Sequence, residues 1–324
     1  MPYAIFAPRA GGPDTLEKRD IDLPVPGKGQ VLIRQTAVGV NYIDIYFRQG
    51  LYPWPVEEDL ILGSEGAGVA EALGSGVTGF AEGARVAYTF PNGAYATHRL
   101  VPATHLVELP DGIDDKTAAA IMLKGLTAHY LIHRSYKVAA GDTVLVHAAA
   151  GGVGLIVGQW LAALGVTAIG TAGGAKKCAL AAANGYAHTI DYRSEDVAAR
   201  VAEITGGAGV DAVYDSVGKD TYEGSLAALK TFGTFVSFGQ SSGPVTDFKL
   251  TDLAKKSLTA TRPTLFHFIA DRDYLENAAA ELFAMVKSGK IKVAVNQTLP
   301  LDQAAQAHRL LEGRKTTGCT VLVP

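Results

Sequence analysis

Three glycines stand at the point where an apolar strand would turn into a helix. Gly151, Gly152 and Gly154 follow the apolar residues 144–146 and precede a helix-length apolar segment. Because glycine has no side chain, a pyrophosphate group can approach the backbone amides at a helix N-terminus in such a turn. The order of strand, glycine turn and helix predicts a dinucleotide site, although Ala149 stands where the G-x-G-x-x-G pattern has its first glycine. A glycine-rich turn in another kind of α/β protein is the alternative.

The residues after the next predicted strand, 166–171, bear on the identity of the dinucleotide. An NAD site usually has Asp or Glu about 20 residues beyond the glycines, where it binds the ribose hydroxyls. Residues 170–177 contain no acid, and the first acidic residue is Asp191. Lys176 and Lys177 follow two glycines and can attract the additional phosphate of NADP, although Lys176 could equally be a solvated helix residue. The sequence thus favours NADPH as the cofactor.

No metal site is expected. A catalytic zinc needs about three protein ligands, usually Cys, His or carboxylate side chains. His129 and His133 stand one helical turn apart and could share a metal, but two ligands make a poor site. We therefore interpret them as polar positions on one helix face. The two cysteines, Cys178 and Cys319, are too few for a disulfide framework.

Length, charge and composition describe a soluble globular protein. At 324 residues the chain exceeds what one hydrophobic core usually supports, so two domains are expected. A net charge of −3 leaves no basic footprint for nucleic acid or an anionic membrane, which favours a small-molecule partner. The uncharged stretch 148–175 could suggest a membrane span, but its glycines favour buried parallel strands. The first residues lack the order of a signal peptide, so we expect a cytoplasmic protein.

Two kinds of pattern divide the chain. The first third is rich in turns and strand-like segments, which predicts a β-rich, barrel-like domain. These segments are 31–38, 66–73, 83–88 and 93–101. From residue 143 onward, about six apolar strands alternate with helical or loop segments, as in a doubly wound parallel sheet. These strands are 144–146, 166–171, 188–191, 210–215, 233–238 and 258–261. After Pro263 we expect a helix at 274–288, a strand at 291–299, a helix at 302–312 and a strand at 319–323.

Six segments resemble one known family, the zinc-independent quinone oxidoreductases, the zeta-crystallin-like branch of the medium-chain dehydrogenases/reductases. The segments are 39–53, 123–127, 147–154, 214–218, 235–239 and 261–264. They are spread over essentially the whole chain, and together they are specific. Zinc-containing relatives place metal ligands after a Val-Gly-Val turn and in a Gly-His-Glu segment, where this chain has Asn41 and Gly63-Ser64-Glu65. The resemblance implies an α/β enzyme that works without zinc.

The resemblance also implies a domain organisation. A GroES-like, β-rich catalytic domain would consist of residues 1–125 and 265–324. A Rossmann domain with a doubly wound parallel sheet would be inserted at residues 126–264. The active site is expected in the cleft between the two domains, and a homodimer is expected through the edge strand of the cofactor domain.

The family's pattern carries over to individual residues. It implies Asn41, Tyr46 and Tyr52 as catalytic candidates on the substrate side, with Asn41 also facing the cofactor. The other cofactor candidates are Gly152 and Val153 at the pyrophosphate; Gly173, Lys177 and Tyr192 at the adenosine phosphate; Ser216, Phe238, Gly239, Ser241, Arg262 and Thr264 at the strand ends; Thr127 and Tyr130 at the domain junction; and Arg314 near the C-terminus. From the residues alone, Tyr46 and Tyr52 could equally pack the loop at 53–55.

The implied reaction is the reduction of a quinone by NADPH. Without zinc, an alcohol or carbonyl loses its Lewis acid, whereas an electron-poor quinone needs less activation. The catalytic candidates would orient the acceptor, and a tyrosine hydroxyl could donate a hydrogen bond to the developing quinol oxygen. An NADPH-dependent reductase of enone or alkenal double bonds is the closest alternative. A non-catalytic NADPH-binding protein, crystallin-like or RNA-binding, is an alternative of another class, to which the balanced charge lends no support.

Overall fold

The chain divides into two compact units, and the computed structural model describes all residues from 1 to 324. The first unit contains Met1–Leu126, Phe266–Lys287 and Val293–Pro324. The second unit contains Thr127–Leu265 and Ser288–Lys292. The short segment Ser288–Lys292, which the resemblance assigns to the catalytic domain, therefore belongs with the second unit. None of the helices has the length and apolar character needed to cross a membrane.

The first unit is built mainly from antiparallel strands. These are β1 (Tyr3–Ala7), β2 (Glu17–Asp20), β3 (Gln30–Val40), β4 (Leu60–Ile61), β5 (Glu65–Leu73), β6 (Arg85–Thr89), β7 (His98–Pro102), β8 (Leu106–Glu108), β15 (Val295–Pro300) and β16 (Cys319–Val323). One sheet has the order β2-β1-β4. The larger sheet has the order β15-β16-β3-β5-β6-β8, with β7 also paired to β3. This β-rich architecture confirms the fold class expected for the first part of the chain.

Helices cover and extend these sheets. They are α1 (Tyr42–Arg48), α2 (Asp115–Tyr130), α7 (Leu265–Phe268), α8 (Arg272–Lys287) and α9 (Ala304–Glu312). Helix α1 begins directly after β3, because the Asp44 carboxylate accepts a hydrogen bond from the backbone N–H of Asn41 (2.8 Å). The core of the larger sheet contains apolar side chains of alternate strand positions, among them Val31, Ile33 and Val86.

Two expected strands of this unit differ from the observed ones. Residues 93–97 of the predicted strand 93–101 are irregular, and β7 begins only at His98. Gly93 has a positive φ of 91°, and the backbone of Tyr95 bonds to Ile5 and Leu62 rather than to a regular strand. Near the C-terminus, the strand predicted at 291–299 begins at Val295 instead, because Ile291 is buried within the second unit.

The second unit contains one parallel sheet with helices around it. The strands are β9 (Thr143–Val146), β10 (Thr167–Ala172), β11 (His188–Asp191), β12 (Val210–Asp215), β13 (Leu229–Ser237) and β14 (Thr259–Thr261). The helices are α3 (Gly152–Ala163), α4 (Ala175–Ala182), α5 (Val197–Ile204) and α6 (Tyr222–Ala228). The strand order β11-β10-β9-β12-β13-β14 confirms the predicted doubly wound parallel sheet. The middle residues of the central strands, among them Leu145, Ile169 and Val213, are apolar and buried because helices and loops cover both faces of the sheet.

Candidate active site

The glycine turn predicted from the sequence lies between β9 and α3. The first turn of α3 contains no acidic side chain, and no side chain caps it. A methyl group at Gly154 would lie 2.4 Å from the carbonyl oxygen of Ala148 and 2.7 Å from that of Ala149, so this position requires glycine. The first-turn amides, which include those of Gly152 and Val153, form the type of helix N-terminus that binds a phosphate group.

A second pair of glycines follows β10. A methyl group at Gly173 would lie 2.6 Å from the hydroxyl oxygen of Tyr192 and 3.1 Å from Nε of Arg193. Lys177 lies in the first turn of α4, where its backbone N–H donates to the carbonyl oxygen of Gly174 (3.0 Å). The predicted residues Gly173, Lys177 and Tyr192 therefore meet at one end of the sheet. Arg193 adds a cation that the sequence analysis did not select, although it directly follows Tyr192.

The acid nearest to this pocket in the sequence is held by backbone amides. Oδ1 of Asp191 accepts hydrogen bonds from the N–H groups of Gly174 (2.9 Å) and Arg193 (3.1 Å). The bond from Gly174, followed by that from Arg193, lowers the pKa of Asp191. Asp191 thus fixes the turn that carries the two glycines.

A buried polar network supports the sheet behind the glycine turn. Nε2 of His147 lies 3.0 Å from Oγ of Ser225, and this hydroxyl donates to Oδ2 of Asp215 (2.8 Å). Oδ1 of Asp215 accepts hydrogen bonds from the N–H groups of Val217 (2.8 Å) and Gly218 (3.0 Å). Burial lowers the pKa of His147, so the imidazole is neutral near pH 7. The network holds the turn that begins at Ser216.

The carboxyl ends of β12, β13 and β14 meet at the same edge of the parallel sheet. The N–H of Ser241 donates to the carbonyl oxygen of Ser216 (3.1 Å), and a methyl group at Gly239 would lie 2.6 Å from that oxygen. Nη1 of Arg262 donates to the carbonyl oxygen of Ser237 (2.8 Å). The predicted residues at this edge are Ser216, Phe238, Gly239, Ser241 and Arg262, and Thr264 follows shortly after β14.

The remaining cofactor candidates lie elsewhere. Thr127 and Tyr130 are buried on the last turn of α2. Arg314 lies in the exposed turn after α9, in the first unit.

The two histidines considered as metal ligands, His129 and His133, lie on one helix face. Their ring centroids are 4.6 Å apart, and both rings pack edgewise against Trp160.

The three catalytic candidates lie on or beside α1 in the first unit. Asn41 precedes the helix and is 5% exposed, and its Nδ2 donates to Oε1 of Glu65 (2.9 Å). Tyr46 lies on the helix, with its ring centroid 5.4 Å from that of Tyr52 in the following loop. Tyr52 also packs edgewise on Phe47, so its ring has a packing role whatever its hydroxyl does.

The side chain of Asn41 is hydrogen-bonded to one member of a buried ion pair. Glu65 is fully buried at the start of β5, and its Oε1 lies 2.5 Å from Nζ of Lys124 on α2. Burial alone lowers the pKa of Lys124, but the charge of Glu65 and the smaller effects of Cys319, of the hydrogen bond to Glu65 and of Asp44 together outweigh this, so the pKa is raised. Oε2 of Glu65 accepts a hydrogen bond from the N–H of Leu123 (2.6 Å). Both oxygens of the carboxylate are therefore bonded.

A second buried group lies on the backbone side of Asn41. Asp44 is fully buried, and it accepts hydrogen bonds from the hydroxyls of Ser64 (2.8 Å) and Tyr95 (3.1 Å). Burial raises the pKa of Asp44 to about 7, although these hydrogen bonds and the charge of Lys124 act in the opposite direction. The carboxyl group therefore titrates near neutral pH.

The network extends from Tyr95 to a buried arginine. The Tyr95 hydroxyl lies 2.9 Å from Nε2 of His308, and Nη1 of Arg48 lies 3.0 Å from Nδ1 of the same ring. Burial, followed by the charge of Arg48, lowers the pKa of His308 to about 3. Arg48 is fully buried and pairs with Glu312 (2.7 Å). His308 is thus a neutral link between an arginine and a titrating carboxyl group.

These buried charges were not among the residues predicted from the sequence. Lys124 is a single lysine within the apolar part of α2, and this pattern was the available signal. Asp44 and Arg48 flank the selected Tyr46 on α1, but an alternation of polar and apolar residues does not reveal which polar side chains are buried.

Comparisons with known proteins agree with this architecture. The model of the alcohol dehydrogenase GroES-like domain matches residues 27–111, and that of the zinc-binding dehydrogenases matches residues 184–322. A quinone oxidoreductase from Pseudomonas aeruginosa is 50% identical over 97% of both chains. A 2-haloacrylate reductase from a Burkholderia species is 43% identical over 100% of this chain and 99% of its own.

A solved structure of a similar protein has the same fold. Quinone oxidoreductase from Escherichia coli, complexed with NADPH, is 44% identical and superimposes with a TM-score of 0.97 over 99% of this chain and 100% of its own. A GroES-like domain joined to a parallel dinucleotide-type sheet defines the class of medium-chain dehydrogenases/reductases. Within that class, the chain belongs to the quinone oxidoreductase family.

Proposed function

We propose that the protein reduces quinones with electrons from NADPH. The net reaction takes a quinone, NADPH and one proton to the quinol and NADP⁺. The single observation that carries the proposal is the pocket at Gly173, where Lys177 and Arg193 supply positive charge and Tyr192 lies against the backbone. An additional phosphate fits this environment, and the acid beside it, Asp191, accepts hydrogen bonds from the backbone of Gly174 and Arg193.

The residues present fit such a cofactor. A side chain at Gly154 would clash with the backbone of Ala148, and one at Gly173 with the hydroxyl of Tyr192, so both turns are as tightly packed as the glycine turns of dinucleotide sites. The amides of Gly152 and Val153 would bind the pyrophosphate, and Lys177, Tyr192 and Arg193 would bind the adenosine phosphate. We assign the rest of the cofactor to the strand-end residues, Thr127, Tyr130, Asn41 and Arg314. When bound, NADPH supplies a hydride from C4 of its nicotinamide ring.

The residues around α1 would bind the acceptor. The carboxamide of Asn41 offers polar atoms at a fixed position, because Glu65 and Asp44 hold its side chain and its backbone N–H. Tyr46 and Tyr52 would orient the quinone ring, and a tyrosine hydroxyl would donate a hydrogen bond to the quinone oxygen as charge develops on it. No zinc ligand set is needed for this chemistry.

We assign the two compact units to these two tasks. The first unit would be the catalytic domain, corresponding to residues 1–125 and 265–324, and the second the cofactor domain at 126–264. We further propose a cytoplasmic homodimer that has a small-molecule quinone, and neither nucleic acid nor a membrane, as its partner.

A second reaction is supported by one specific observation. A relative that is 43% identical over the whole chain is named 2-haloacrylate reductase, which is a reductase of an activated carbon–carbon double bond. The same hydride donor and the same α1 residues could serve such a substrate.

Matched substrates distinguish the two reactions. Steady-state turnover with NADPH should be compared between 1,4-benzoquinone and enones of similar size, with 2-chloroacrylate included. We expect a higher kcat/KM with the quinone. A higher kcat/KM with the enone or with 2-chloroacrylate would overturn the proposal in favour of double-bond reduction, and turnover of neither substrate would contradict both.

A further inference from the structure

Lys124 is the one lysine that the first unit buries within the apolar part of α2. Its side chain is 7% exposed, whereas Lys116 on the same helix is exposed. The groups that act on Lys124 are Glu65, then the thiol of Cys319 and, more weakly, Asp44. Burial raises the pKa of Cys319 to about 11, so this thiol stays neutral near pH 7. Glu65 is therefore the counter-ion of Lys124.

The oxygen of Glu65 that binds Lys124 also binds Asn41. Oε1 lies 2.5 Å from Nζ of Lys124 and 2.9 Å from Nδ2 of Asn41. An ionised carboxylate can only accept hydrogen bonds, so the carboxamide must present its NH₂ group to Glu65. The hydrogen bond to Glu65 therefore fixes the orientation of the Asn41 amide and with it the position of Oδ1.

The backbone leaves room for this arrangement. A methyl group at Gly39 on β3 would lie 2.3 Å from Oε1 of Glu65 and 2.2 Å from the carbonyl oxygen of Ala119. Any side chain at Gly39 would displace the carboxylate from its place between β3 and α2. The φ of Gly39 is not positive, so the reason for glycine here is the space that the carboxylate occupies.

We infer that Glu65, paired with Lys124, is the positioning residue that sets the orientation of the Asn41 carboxamide for catalysis. The inference rests on the proposed function, because it takes Asn41 as a group that contacts the cofactor or the substrate. Lys124 acts through Glu65, and Glu65 acts through Asn41. A buried pair of this kind is not needed for stability, because apolar residues of similar volume are often as stable.

Replacing both charges tests the inference. The double variant Glu65→Gln/Lys124→Met removes both charges and should fold, but its glutamine can either accept from or donate to Asn41. We expect kcat to fall by about 100-fold, the loss typical of a misplaced catalytic group, with little change in Tm. Lys116→Met is the matched control and should have the kcat of the unmodified protein. An unchanged kcat in the double variant would overturn the inference.

The pH dependence separates positioning from a merely structural role. In Lys124→Met the buried carboxyl of Glu65 loses its counter-ion, and a protonated carboxyl there would donate to Asn41 instead of accepting from it. The kcat of this variant should therefore increase with pH as the carboxylate reforms, whereas Lys124→Arg should keep the original profile. A pH profile of Lys124→Met that matches the unmodified protein would contradict the inference. If Lys124→Met does not fold, the double variant and Lys124→Arg decide the question.

Asn41→Ala distinguishes failure of the inference from failure of the proposed function. In the Asn41→Ala background, the double replacement at 65 and 124 should cause no further loss of kcat, because the carboxamide that Glu65 positions is absent. The same 100-fold loss in both backgrounds would overturn the positioning role. If Asn41→Ala itself retains full quinone turnover, the assignment of Asn41 under the proposed function is wrong.

Discussion

Asp215 in the second unit and Glu65 in the first are both fully buried beside candidate site residues, and the two carboxylates are stabilised in different ways. In the second unit, Asp215 accepts hydrogen bonds from the amides of Val217 and Gly218 and from the hydroxyl of Ser225. In the first unit, Glu65 binds an ammonium group, that of Lys124. Dipoles stabilise the first carboxylate and a full charge stabilises the second.

The difference indicates what each carboxylate is for. Asp215 ties down a turn in the backbone, and amides of that turn are its partners. Glu65 bonds to a side chain that we assign to catalysis, and although it is fully buried it has a cation, Lys124, as its partner. A network of dipoles tolerates the loss of one charge, whereas an ion pair leaves a buried charge behind.

The largest expected effect compares the amide variants of the two carboxylates. Glu65→Gln leaves the ammonium of Lys124 buried without a partner, so it should lower the free energy of unfolding by about 3–5 kcal/mol. Asp215→Asn retains an acceptor for the amides, and its NH₂ can donate to a serine or threonine oxygen, so it should cost about 1 kcal/mol. Chemical denaturation at pH 7 measures both. Equal losses in the free energy of unfolding would contradict the view that an ammonium group stabilises Glu65 and that dipoles stabilise Asp215.

The titrating part of the first unit should produce opposite pH dependences in two variants. The pKa of Asp44 is raised from 3.8 to about 7, so its contribution to stability is present at low pH and is lost as the pH rises through about 7. The pKa of His308 is lowered from 6.5 to about 3, so its contribution is present above pH 6.5 and is lost as the pH falls. As the pH rises from about 4 to 6.5, the contribution of Asp44 to stability therefore decreases while that of His308 increases.

A variant that lacks one of the two groups should show only the pH dependence of stability that the other group causes. Between about pH 4 and pH 6.5, Asp44→Asn should gain stability relative to the unmodified protein as the pH rises, by an amount on the order of 3 kcal/mol. His308→Gln should lose stability relative to it over the same range. Urea denaturation at several pH values measures these differences. Parallel curves for all three proteins would show that Asp44 and His308 do not titrate as described.

A smaller effect is expected in the cationic pocket of the second unit. Lys177→Ala should raise the KM for NADPH about tenfold and leave that for NADH nearly unchanged, because only NADPH carries the additional phosphate. Lys176→Ala, on the exposed neighbour, is the control and should change neither constant. Steady-state kinetics with both cofactors provide the measurement. A similar rise for NADPH in both variants would indicate general attraction rather than a phosphate site.

The smallest effect is expected at a tyrosine hydroxyl. Tyr52→Phe keeps the ring that packs on Tyr46 and Phe47, so it should not change Tm. If the hydroxyl stabilises the developing quinol oxygen, kcat should fall by up to about tenfold. An unchanged kcat together with an unchanged Tm would assign Tyr52 to packing alone.

The sheet of the second unit was predictable because its signals are local. Apolar strands, the glycines at 151–154 and the alternation with helices are each contained in a short stretch of chain. The errors in the first unit occur where the backbone partners are distant in the sequence. Residues 93–97 alternate like a strand, but Tyr95 bonds to β1 and to the residue before Gly63, and no local pattern contains those partners.

The buried charges could not be predicted for a related reason. Lys124 and Glu65 are separated by 59 residues, and Arg48 and Glu312 by 264. A polar residue in an amphipathic segment is usually exposed, so pattern alone assigns Asp44 and Arg48 to the surface. The resemblance supplied Asn41, Tyr46 and Tyr52, but the charges that hold Asn41 became visible only from the packed structure.

The most direct test of the account is the oxidation of NADPH and of NADH by a small para-quinone, measured on protein treated with a chelator. We predict rapid turnover with NADPH, a strong preference for NADPH over NADH, and no loss of activity after chelation. Equal use of NADH would contradict the role of Lys177 and its neighbours at the adenosine phosphate. Loss of activity after chelation would contradict the assignment of quinone reduction to Asn41, Tyr46 and Tyr52 without a metal.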